Sequence, residues 1–107
     1  NMSSYNINNN YPKPAWYRSS AVADQRLSVT TVVAQFSAFS PTTTLVVLDI
    51  QTADVMCTFD GSDPSPTNGH ILFNGTQYTW SVATAQQAKF HRRTTTDGVI
   101  HASEFQV

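Results

Sequence analysis

The residues able to do chemistry are few and scattered. Glu104 is the only glutamate, beside six aspartates, one cysteine and three histidines. A glycosidase pair would need two of those aspartates facing each other, and most sit where turns or strand ends are expected. Cys57 lies between Val55 and Phe59 in strand register, an apolar setting without the base and positive surroundings that a nucleophilic thiol needs; it reads as a small buried hydrophobe. His70, His91 and His101 show no ligand spacing for a metal. No Gly-x-Ser-x-Gly elbow or phosphate-cradling glycine loop is present. The expectation is a protein with no catalytic residues, no cofactor and no metal.

Two groups of residues remain as contact candidates. The first is Asp60-Gly-Ser-Asp-Pro-Ser-Pro-Thr-Asn-Gly69. Asp60, Asp63 and Asn68 could offer oxygens to a calcium ion, but the loop lacks EF-hand spacing and a closing Glu. The stronger reading is a stiff turn whose residues do backbone work; an exposed loop of this kind could still offer Asp60, Asp63 and Asn68 as a contact surface. The second is the amino-terminal segment, where Tyr5, Tyr11, Trp16 and Tyr17 precede or adjoin Arg18. Four of the chain's twelve aromatic residues fall in this Asn- and Ser-rich stretch. Rings of this kind dominate interfaces, so Tyr5, Tyr11, Trp16, Tyr17 and Arg18 are the expected partner-binding residues. The alternative is an arm folded over its own domain.

Lys89, Arg92 and Arg93 form a small basic cluster near Tyr78 and Trp80 in sequence. With a net charge of −1 over 107 residues, it is thin support for nucleic-acid binding, and no nucleic-acid partner is expected. Charged residues are only 12% of the chain, about half the usual share of roughly 25%. Fourteen Thr and eleven Ser supply most of the polarity, which suits strands and neutral surfaces that pack on other proteins. No apolar run approaches the ~20 residues of a membrane helix, nor is a secretory leader evident; no membrane partner is expected. The single cysteine rules out an internal disulfide framework. Asn74-Gly-Thr76 is a glycosylation sequon, but it reads better as a turn.

The elements that must position these residues are short strands. Residues 1–26 show no strand or helix period and are expected to form an extended arm; residues 27–107 form the domain. Leu27 to Phe39 reads as one long strand with a change of face near Ala34. Thr44 to Ile50 is apolar at every position but Thr44 and Asp49, as in a central strand covered on both faces. Val55, Cys57 and Phe59 share a face of the next strand. His70 to Phe73 and the alternating Tyr78, Trp80, Val82 flank Asn74-Gly75, a pair suited to a type I′ hairpin. Ala83 to Ala88 is the one plausible helical patch. Lys89 to Thr95 and Val99 to Val107 read as a terminal hairpin around Thr96-Asp97-Gly98. The expected fold is all-β: an antiparallel β-sandwich or jelly roll of seven to eight short strands, at a spacing near ten residues, with an extended N-terminal arm.

Val55-Met-Cys-Thr-Phe-Asp-Gly-Ser-Asp-Pro64, followed by Asn68-Gly-His70, Thr79-Trp80 and the Lys89-Phe90 strand, resembles small tailed-bacteriophage virion proteins over residues 27–107. The resemblance implies a structural protein of the virion, of the capsid cement or decoration type, seated on the capsid surface where major capsid protein subunits meet. It further implies a homo-oligomer, with a trimer favoured. A head-to-tail connector or tail component is the near alternative. A carbohydrate-binding β-sandwich module, stacking Trp16 or Trp80 on sugar rings, is the reading from a different class.

Overall fold

The computed structural model describes residues 13, 14 and 16–107. Seven strands and one short helix follow in order: β1 (Ser20–Val29), β2 (Leu45–Gln51), β3 (Val55–Thr58), β4 (His70–Leu72), β5 (Gln77–Ser81), α1 (Val82–Gln87), β6 (Lys89–Arg92) and β7 (Gly98–Gln106). They make two antiparallel sheets, one of four strands in the order β1-β7-β2-β5 and one of three in the order β4-β3-β6. The fold is an all-β sandwich of seven strands.

Strand β2, apolar from Leu45 to Leu48, takes an interior place in the larger sheet, and Val46, Val47 and Leu48 are all buried; its outer face is covered only in part, with Leu45 and Asp49 half-buried and Gln51 exposed. Its even-numbered residues Val46, Leu48 and Ile50 meet Ile100 and Ala102 of β7, Val55 and Cys57 of β3, Leu72 of β4 and Phe90 of β6 in a single core. Tyr78 and Trp80 pack against it from β5, as their alternation predicts. Phe90 stacks on Trp80 and meets Phe36 edge-on, tying the two sheets together through aromatic contacts. Helix α1 forms over the expected patch; Ser81 caps it, its hydroxyl accepting from Thr84 N at 3.2 Å.

Three sequence expectations give way. The first strand begins at Ser20, inside the segment read as arm, and ends at Val29 rather than running on to Phe39. A bulge between Ala21 and Ala23 breaks its alternation. Gln25 occupies a core-side position and spends its amide on the backbone of Ser37, donating to the carbonyl and accepting from the N–H. Residues 30–44 are irregular, held at Ala34 by reciprocal backbone bonds of 2.9 Å with Phe90. Asn74-Gly75 joins β4 to β5, strands of different sheets, so it is a crossing rather than a hairpin. Only Gly75 has positive φ, and Thr76 N donates to Phe73 O, the pattern of a type II turn. The terminal hairpin fails in the same way: β6 pairs with β3, whereas β7 pairs with β1 and β2.

Three connections (β2–β3, β4–β5 and β6–β7) therefore cross between sheets at one end of the sandwich. Asp54 joins them. One carboxylate oxygen accepts from Asn74 N at 2.8 Å and the other from Arg93 Nη1 at 2.8 Å. Gly98 is required here, because a Cβ would lie 2.7 Å from Val55 Cγ2. The opposite end carries residues 16–19, α1 and the 59–69 loop.

Candidate functional site

Alternation along β7 turns Ile100 and Ala102 into the core and Phe105 to the outer face of the four-stranded sheet. Trp16 stacks on that ring, centroids 5.7 Å apart and planes 20° from parallel. The turn that delivers it is closed by Tyr17 N to Pro14 O and Ser19 N to Trp16 O, each 3.0 Å. Trp16 thus docks on its own chain, and its indole N–H meets no acceptor among the described residues. The rings beside it differ. Tyr17 is 53% exposed, with Lys13 Nζ 5.0 Å and Arg18 Cζ 6.0 Å from its centroid. These distances suit cation–π attraction, and Tyr17 and Arg18 are both exposed, with Lys13 half-buried beside them. Tyr5 and Tyr11 lie outside the described residues.

The second group lies at the same end. Loop 59–69 folds back over the outer face of the three-stranded sheet: Thr58 donates its hydroxyl to Ser62 O, and Lys89 Nζ reaches Gly61 O at 2.9 Å and Asp63 at 3.3 Å. Pro64 is buried, as are Met56 and Thr58. Asn68 donates from Nδ2 to Asp63 O, and Ser65 and Asn68 exchange backbone bonds. Asp60 is held below the usual carboxylate range by the Ser62 hydroxyl first and the Ser62 N–H second. Its carboxylate closes the turn, as the stiff-turn reading expects. Among the described residues no cluster of His, Cys, Asp or Glu could hold a metal ion. A cleft of about 240 Å³ opens between the loop and the sheet, lined by Phe59, Asp60, Ser62, Asn68 and His70 among others. The structure therefore brings Asp60 and Asn68 together at one cleft and ties Asp63 to Lys89.

The remaining candidates resolve individually. Lys89, Arg92 and Arg93 are each paired within the chain, to Asp63, Asp97 and Asp54, so the basic cluster is spread over three ion pairs. Cys57 is fully buried, and burial pushes its thiol up to about 12. His101 lies 3.8 Å from Asp24 across the outer sheet face, and His91 bonds through Nδ1 to the Arg92 carbonyl. Neither tryptophan stands clear as a sugar platform: Trp80 is flanked by Phe59 and Phe90, and Trp16 rests on Phe105. Phe105 is the residue that sequence reasoning did not single out; its outward register in β7 is the signal that could have found it. No helix among the described residues is long and apolar enough to cross a membrane. In comparisons with known protein families, curated proteins and solved structures, this chain matches none.

Proposed function

We propose that the chain is a structural protein of a bacteriophage virion, a cement or decoration protein that self-associates and binds major capsid protein on the capsid surface. The observation that carries this reading is the arm root. Trp16 fixes the exit of the segment on the sheet, and Tyr17, Lys13 and Arg18 gather beside it at the surface. Interface hot spots favour Trp, Tyr and Arg, and repetition over many copies lets individually weak contacts add. The low charge and the Ser- and Thr-rich composition support the same role.

The test is sedimentation of the protein with capsids assembled without it. The double variant Tyr17→Ala, Arg18→Ala is expected to lose roughly tenfold or more in affinity at unchanged thermal stability, since both side chains are exposed. Equal binding of variant and parent overturns the arm-root reading. Absence of binding by the parent overturns the capsid reading.

A further inference from the structure

We infer that two copies of this chain pair through the free edge of β5, joining their four-stranded sheets into one of eight strands across a two-fold axis. A sheet edge is a template for another strand unless something blunts it, and the other edges here are blunted. The β1 edge carries a bulge at Ala21–Ala23 and the charges Asp24 and Arg26. The β6 edge is occupied by Ala34. The β4 edge is only three residues long. By contrast, β5 runs five residues, Gln77-Tyr-Thr-Trp-Ser81, with no charge, proline or bulge. Among the described residues no strand lies beyond it.

The edge is also complementary to itself. Val82 N donates to Thr44 O, so the ladder's alternation turns the backbone of Tyr78 and Trp80 toward β2 and that of Gln77, Thr79 and Ser81 outward. Antiparallel pairing centred on Thr79 sets Thr79 opposite the partner's Thr79 and Gln77 opposite the partner's Ser81. It forms four hydrogen bonds: two between the threonines, and one from each Ser81 N–H to the facing Gln77 carbonyl. No like charges meet. The same register puts Tyr78 opposite the partner's Trp80 on the inner face, where both rings are only half-buried in the single chain. Phe73, 52% exposed, lies beside them, its N–H donating to the Tyr78 hydroxyl. One register therefore satisfies most of the open backbone groups and brings the half-buried rings of this edge together. A second copy fits it better than an unrelated strand, because every position meets a neutral counterpart of its own sequence.

The inference stands apart from the capsid reading, since it is tested on the isolated full-length protein. Analytical ultracentrifugation is expected to give a mass about twice 11.8 kDa, and Thr79→Lys, which sets like charges face to face at the axis, is expected to give the single-chain mass. Thr79→Cys treated with a short bis-maleimide is expected to yield a covalent dimer, while Ser28→Cys on the β1 edge yields none; the buried native Cys57 does not compete. A single-chain mass for the parent at all concentrations, a trimer, a Thr79→Lys variant that still pairs, or cross-linking only through Ser28→Cys would each overturn it.

Discussion

Glu104 is the chain's only glutamate, and it is buried, 4% exposed, at the end of β7. One carboxylate oxygen accepts from Ser40 N at 2.8 Å and from the Thr43 hydroxyl at 2.7 Å. It thereby fixes the turn through Pro41 that leads into β2, where Thr43 N bonds back to Ser40 O. Work of this kind is structural. Glu104→Ala strands two donors in a closed site and is expected to cost about 1–3 kcal/mol, since a buried group left unpaired loses its full desolvation penalty. Glu104→Gln keeps an acceptor and should cost less. Chemical denaturation of both variants checks the ordering. The role was illegible in the sequence because its partners lie 61 and 64 residues away. Cys57 was legible, because its apolar flanks in strand register already announce burial.

Elements were legible where side-chain periodicity dominates and obscure where polar side chains do backbone work. The apolar run of β2 and the alternation of β5 hold because burial alone sets their faces. The start of β1 was hidden because Gln25 takes a core-side position and saturates itself on Ser37. The Asn74-Gly75 and Thr96-Asp97-Gly98 turns were recognised as turns, but turn chemistry does not state which sheet the next strand joins. Asp54 is the residue that fixes those crossings. The Asn74 N–H above all, and also the Arg93 guanidinium, hold its carboxyl below its ordinary value of 3.8, against an opposing push from partial burial. A carboxyl depressed in the folded state stabilises the fold above its unfolded value, and that contribution disappears as pH falls below about 3.8 and through the folded value. Asp54→Asn is therefore expected to lower Tm at neutral pH and to narrow its gap to the parent as pH drops toward 3. Thermal melts across that range check this; a gap that stays constant with pH contradicts the clamp.

For the whole molecule, the sandwich sets two kinds of surface at opposite ends. The Asp54 end is tied by crossings and ion pairs. The other end presents Tyr17 and Arg18 at the arm root and the Asp60–Asn68 cleft. Of the expected partner-binding residues Tyr5, Tyr11, Trp16, Tyr17 and Arg18, the fold divides two neighbours: Trp16 rests on Phe105 and Tyr17 faces solvent. That division depends on the outward register of Phe105 in β7, and its alternation with the inward Ile100 and Ala102 is the sequence signal of it. The proposed function is adhesion, through neutral sheet surfaces and the rings at residues 16 and 17. The most direct measurement is an electron-microscopy map of particles carrying the protein. The expected result is density for the sandwich on the outer capsid, with the Tyr17 end against major capsid subunits. Density confined to the neck or tail, or a Tyr17 end turned away from every subunit, would contradict it.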